Sequence, residues 1–196
     1  MSRFILASAS PRRKEILENI GLKFDILVSQ ADESSIDRSI PPEMLVKELA
    51  MLKTAETAKY VKDDAYIIGS DTVVAFDGQV LEKPKSPEDA ENMLKKLSGK
   101  EHFVYTGVCI FRTKDCSAVC KCEKTVVRFK ELSDETIKNY VKTGEPMDKA
   151  GAYGIQGKGS LLVKGIEGDY FNVVGLPVGL LSDMFKEEYN IEILGN

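Results

Sequence analysis

Two long strand-like runs, 102–112 and 117–129, meet across a short polar turn at Lys114-Asp115. Runs of this length and β-branched, aromatic character satisfy their backbone groups only inside a sheet, so this hairpin dictates a sheet in mid-chain. Upstream, strands and helices alternate instead. Arg3 to Ala7 is a short apolar strand, and Ser10-Pro11 behind it has the cap and first-residue chemistry of a helix start. That helix carries Ile16, Leu17 and Ile20 on one face and stops at Gly21. Phe24 to Val28 reads as a second strand, 29–40 as a polar loop, and Pro42 to Tyr60 as a long helix striped by Leu45, Leu49 and Leu52. Alternation followed by a long hairpin predicts an α/β fold with a mixed sheet.

The stretch "AYIIGSDTVVAFDGQVL" predicts a strand, an Asp-Gly turn and a returning strand. Ser86-Pro87-Glu88-Asp89 opens a helix that ends at Ser98-Gly99, and a further helix from Ser133 to Thr143 is stopped by Gly144. The glycine-rich stretch 148–177 is expected to hold short strands at 161–166 and 171–174, and a last helix starts at Pro177. No repeat, low-complexity segment or linker divides residues 1–196, which are read as a single domain in which two lobes can share the central sheet.

The formal net charge is −4, a balance that argues against a general nucleic-acid binder. No apolar run approaches the roughly 18 residues of a membrane span, and the apolar start is too short for a signal peptide, so the expected compartment is the cytoplasm. Cys109, Cys116, Cys120 and Cys122 fit no C-x2-C zinc knuckle. Spacing and compartment favour structural thiols over a metal site or a disulfide. The single histidine, His102, has no nucleophile signature beside it and reads as an ordinary surface residue.

Three segments have chemistry to offer, each with an ordinary structural reading beside it. In "ASASPRRKEI", a small-residue loop leads into a helix N-terminus, where unpaired N–H groups and the helix dipole attract anions. Ser8 and Ser10 keep the approach open, and Arg12 and Arg13 add planar donors matched to phosphate. Otherwise this is a capped helix with solvated arginines. In "IIGSDTVV", Asp71 interrupts an apolar strand. A carboxylate there needs a partner, a metal or a proton to move, and the alternative is a hydrogen-bonded turn aspartate. Lys83, just past the Asp-Gly hairpin, is placed to reach a phosphate. In "DKAGAYGIQGKG", glycines bracket Gln156, whose amide both donates and accepts, as the edge of uracil or thymine requires. The loop is no Walker A motif, and its plain reading is a connector.

In this order the segments resemble the Maf family of nucleotide pyrophosphatases. The matching stretches are "LASASPRR" (6–13), "GSDTVV" (69–74), "LEKP" (81–84), "LSGKEHFVYTGV" (97–108), "DKAGAYGIQGKG" (148–159) and "NVVGLP" (172–177). The resemblance implies a cytoplasmic hydrolase that cleaves a nucleoside triphosphate to the monophosphate and pyrophosphate. It further implies a divalent cation (Mg²⁺ or Mn²⁺), an elongated mixed sheet in two lobes around a deep cleft, and a homodimer. Carried over residue by residue, it implies Asp71 as the proton acceptor and Arg12, Thr72 and Gln156 as specificity positions. It implies Ser8, Arg12, Arg13, Lys53 and Lys83 around the phosphates, and Glu33 with Asp71 at the metal. Thr72 with Gln156 resembles the dTTP/UTP branch, whereas the 7-methylguanosine triphosphate branch carries glutamine and glutamate there. The competing expectation is a non-catalytic nucleotide-binding regulator of septum formation, which would bind nucleotide without turning it over.

Overall fold

The structure, a computed structural model, describes residues 2–194. Its strands are β1 (Phe4–Leu6), β2 (Asp25–Ile26), β3 (Tyr66–Phe76), β4 (Gln79–Leu81), β5 (Glu101–Arg112), β6 (Ser117–Phe129) and β7 (Val163–Glu167). Its helices are α1 (Pro11–Asn19), α2 (Pro42–Ala58), α3 (Pro87–Leu97), α4 (Asp134–Val141), α5 (Tyr170–Val174) and α6 (Val178–Tyr189). The sheet runs β2-β1-β3-β5-β6-β7, with β4 paired to β3. β1 pairs parallel with β2 and β3, while β3–β4 and β6–β7 are antiparallel, so the expected mixed sheet is present.

The chain divides into two compact units. One comprises the residues up to Asp71, Thr106–Glu123 and the residues from Gly175 on; the other comprises Thr72–Tyr105 and Lys124–Val174. β3 passes from one to the other at the Asp71-Thr72 bond. In the first unit, α2 lies so close on the strands that glycine is required beneath it. A Cβ on Gly69 would stand 2.5 Å from Cγ2 of Thr54 and 2.8 Å from the Ala50 carbonyl. A Cβ on Gly107 would collide with the Val46 backbone. Phe4, Tyr66 and Phe185 close this unit's aromatic core by edge contacts. In the second unit, Leu94, Leu97, Val127, Phe129, Ile137 and Tyr153 form the core.

Local signals acted largely as sequence chemistry dictates. Asp77 and Gly78 both take positive φ in the β3–β4 turn, as the tight hairpin requires. Ser86 caps α3 by accepting the Asp89 N–H at 3.1 Å. Ser10 is the N-cap residue and Pro11 opens α1, as expected, although the Ser10 hydroxyl makes no capping hydrogen bond. Three expectations are corrected. Residues 171–174 belong to helix α5 rather than to a strand, because Asp169 accepts the Phe171 N–H and opens a helical turn there. Cys109 and Cys120, from the facing strands of the long hairpin, form a disulfide, and Cys116 and Cys122 remain thiols. His102 is fully buried, not a surface residue. Its Nε2 lies 2.6 Å from the Tyr153 hydroxyl, and burial depresses its pKa to about 4, so it is neutral. No helix among the described residues is long and apolar enough to cross a membrane.

Candidate active site

The first unit gathers six of the residues singled out from sequence. Asp71 sits where the buried strand β3 turns partly accessible, at 16% side-chain exposure. Lys53, one turn beyond Leu49 on the inward-facing side of α2, reaches it: Nζ lies 2.5 Å from Asp71 Oδ1 and 3.0 Å from Glu33 Oε1. One ammonium thus holds two carboxylates from segments far apart in sequence. Glu33 enters from a 3₁₀ turn (Glu33–Ser35) opened by an Asp32 cap, and Arg38 approaches its other oxygen at 3.4 Å. Burial pushes the Glu33 carboxyl upward, but Lys53 and Arg38 outweigh it, and the net shift is downward, which keeps it ionised.

Arg13 is the structural hub beside this cluster. Its Nε donates to the Gly175 carbonyl at 2.8 Å and a terminal nitrogen donates to Ser8 Oγ at 3.2 Å. The Ser70 hydroxyl donates to the same Gly175 carbonyl at 3.0 Å. Arg13 from the opening stretch and Ser70 beside Asp71 therefore meet at one oxygen of "NVVGLP". Burial lowers the Arg13 pKa; the charges of Asp71 and Glu33 offset this in part, and neighbouring Arg12 adds to it. A guanidinium remains cationic under such a shift. Ser8, 9% exposed, accepts the Ser10 N–H at 3.2 Å as well as Arg13, so its hydroxyl ties the opening loop to the start of α1.

Thr72, Lys83 and Gln156 lie in the second unit. The β3–β4 register pairs Val74 with Leu81, the last residue of β4, and Lys83 follows two residues beyond that pair. Lys83 is exposed. Its neighbour Glu82 accepts the Gly151 N–H at 3.2 Å, tying the glycine-rich loop to the hairpin. Gly151 has φ +67 and rests on Val74, where a Cβ would stand 2.9 Å from Cγ1. Gln156 is half-buried within that loop. Residues missed from sequence are Arg38, which guards Glu33, and the pair Tyr140 and Glu145, which holds the loop. Glu145 follows the helix-stopping Gly144, a position that advertises a turn but not a carboxylate aimed back at residues 13 and 14 further on.

Among the described residues no three His, Cys, Asp or Glu side chains converge as a ready metal cage. Glu33 and Asp71 do converge on one cation, Lys53, and two hard carboxylates suit Mg²⁺ or Mn²⁺, which keep several non-protein ligands. The residues present fit such an ion.

Cations and carboxylates thus cluster on one unit of a mixed α/β sheet. The fold is shared with the Staphylococcus aureus Ham1 protein, at TM-score 0.54 and 15% identity over 95% of this chain and 100% of that one. The Maf-like protein family model matches residues 3–188, and the chain belongs to that family. It is 48% identical over 192 residues to a dTTP/UTP pyrophosphatase of Thermoanaerobacter sp. (strain X514), covering 98% of this chain and 100% of the relative. It is 50% identical over 194 residues, at the same coverage, to a dTTP/UTP pyrophosphatase of Clostridium perfringens (strain 13 / Type A).

Proposed function

We propose that this chain hydrolyses dTTP and UTP to the nucleoside monophosphate and pyrophosphate. The observation that carries the proposal is the Asp71–Lys53–Glu33 cluster beside Arg12 and Arg13, in a chain about half identical over its full length to relatives named for that activity.

The chemistry asked of the residues is in-line displacement at the α-phosphorus. Asp71 accepts a proton from, or orients, the attacking water. Arg12, Arg13 and Lys53 neutralise the phosphates and the charge that grows on departing pyrophosphate, with Lys83 as a further cation. Such preorganised charge supplies most of the acceleration in phosphoryl chemistry. A divalent cation held by Glu33 and Asp71 would supply further charge neutralisation at the phosphate oxygens. Base selection is assigned to Thr72 and Gln156, with Arg12 as a third specificity position. The amide of Gln156 can donate to a pyrimidine carbonyl and accept from N3–H at once.

The test is a product assay with dTTP, UTP, CTP, GTP and 7-methyl-GTP in Mg²⁺ or Mn²⁺. The proposal expects monophosphate and pyrophosphate from dTTP and UTP. Preference for 7-methyl-GTP would overturn the assignment of Thr72 and Gln156, and orthophosphate as the product would overturn the bond cleaved.

A further inference from the structure

Gln156 is held by a loop whose two ends are fastened to a single carboxylate that no motif contains. The loop closes on itself at Gly154 and Gly159: a Cβ on Gly159 would collide with the Gly154 carbonyl and lie 2.7 Å from the Tyr140 hydroxyl. At one end the Gly154 N–H donates to the Tyr140 oxygen at 3.3 Å. The Tyr140 O–H in turn donates to Glu145 Oε1 at 3.0 Å. At the other end the N–H groups of Gly159 and Lys158 donate to Oε1 at 2.9 Å and Oε2 at 3.1 Å. Gly157, at φ +64, passes so close that a Cβ would be 3.1 Å from Oε2. Successive N–H groups wrapped around an anion form a nest, here filled by the protein's own carboxylate. The backbone of Glu145 is itself pinned, since Lys149 Nζ donates to its carbonyl at 2.7 Å.

We propose that Glu145 is a positioning residue for base selection, fixing the Gly154–Gly159 loop so that Gln156 meets the pyrimidine edge in one geometry. The inference rests on the dTTP/UTP reading for the identity of the base, but not for the mechanics of the loop. Burial would raise the Glu145 carboxyl, yet the two backbone donors and Tyr140 outweigh it and lower its pKa, so the anchor is charged. A hydrogen bond to a charged group is worth roughly ten-fold or more in an equilibrium it controls. Freeing the loop should therefore weaken recognition of the base while leaving the handling of phosphate intact.

The experiment compares wild type with Glu145→Gln, Glu145→Ala and Tyr140→Phe. It reads steady-state kinetics on dTTP and GTP, binding of dTMP and GMP by calorimetry, and inhibition by pyrophosphate. For Glu145→Ala the expected result is a KM for dTTP raised about ten-fold or more, with kcat changed far less and pyrophosphate inhibition unchanged. The preference for dTMP over GMP should fall in parallel. Glu145→Gln keeps one acceptor oxygen and should lie between wild type and alanine, and it carries the test if the alanine variant does not fold. Tyr140→Phe should shift the same ratio in the same direction. Unchanged dTMP/GMP and dTTP/GTP ratios in all three variants, or a uniform loss of kcat on every nucleotide, would overturn the proposal. A wild type that turns over no nucleotide, but prefers dTMP and loses that preference on Glu145→Ala, would sink the hydrolase and keep the positioning role. A wild type without a base preference would overturn it.

Discussion

Lys53 Nζ stands 2.5 Å from Oδ1 of Asp71 and 3.0 Å from Oε1 of Glu33, so one ammonium from α2 holds the strand carboxylate and the loop carboxylate together. Replacing it with methionine takes from both carboxylates the ammonium they share and removes a phosphate-neutralising charge. Lys53→Met should lower kcat by about 10²–10³-fold, the cost typical of losing one preorganised charge. Single-turnover kinetics on dTTP would check this, and a variant within a few-fold of wild type would remove Lys53 from the chemistry.

Arg13 and Arg12 are adjacent, yet they should respond differently to the same substitution. The Arg13 fork bridges the Gly175 carbonyl and Ser8, a geometry that an ammonium cannot reproduce. Arg13→Lys should cost about 1–3 kcal/mol of stability as well as activity. Arg12→Lys should stay within about 0.5 kcal/mol of wild type in stability and show its effect in kcat/KM alone. Urea unfolding of both variants beside their kinetics separates the two roles.

Packing beneath α2 sets how near Lys53 comes to Asp71. A Cβ on Gly69 would press on Thr54, the residue after Lys53, and on the Ala50 carbonyl. Gly69→Ala should cost about 1–3 kcal/mol by overpacking. At this chain length that is a fall of about 2–4 °C in Tm per kcal/mol. Turnover should fall with it, although residue 69 carries no reactive group; calorimetry and the product assay together would show both.

His102 makes stability pH-dependent. Its pKa is depressed from the ordinary 6.5 to about 4 in the folded state, so between those values the unfolded chain binds more protons. Stability contributed by the neutral ring is complete above pH 6.5 and is lost as pH falls through about 4. The loss amounts to roughly 3 kcal/mol over that window. His102→Gln should flatten this part of the Tm-against-pH curve relative to wild type, and parallel curves would contradict the assignment.

The thiols should differ in reactivity. Cys116 is exposed in the hairpin turn, whereas burial pushes the Cys122 thiol up to about 12 and Cys109 and Cys120 are paired. Brief alkylation of the native, unreduced protein should label Cys116 alone, as peptide mass mapping would reveal.

Signals that act locally were readable from the residues: the Asp77-Gly78 turn, the Ser86 cap, the α2 leucine stripe and the isolated carboxylate in β3 each depend on neighbours within a few positions. The disulfide and buried His102 were not, because each depends on a partner from another strand or loop, Cys120 for Cys109 and Tyr153 for His102. Strand character at 171–174 was misread because a short apolar run such as "FNVV" has no period long enough to separate strand from helix, and Asp169 decided it. In the site, Asp71, Arg12 and Arg13 announced themselves by chemistry. Lys53 and Glu33 came only by resemblance, since a lysine on a helix and an acid in a polar loop look solvated until the fold brings them to 3.0 Å. Glu145 had no signal at all, its meaning being set by N–H groups 13 and 14 residues downstream.

The most direct test of the account is the Asp71→Asn variant, which keeps size and shape but removes the charge and the proton acceptor. Wild type and variant would be given dTTP and UTP with Mg²⁺ or Mn²⁺, with monophosphate and pyrophosphate quantified and dTMP binding measured in parallel. The account predicts equimolar monophosphate and pyrophosphate from wild type, with turnover reduced at least about 10²–10⁴-fold in the variant and dTMP still bound. An Asp71→Asn protein that hydrolyses dTTP as wild type does, or a wild type that binds nucleotide and never cleaves it, would contradict it.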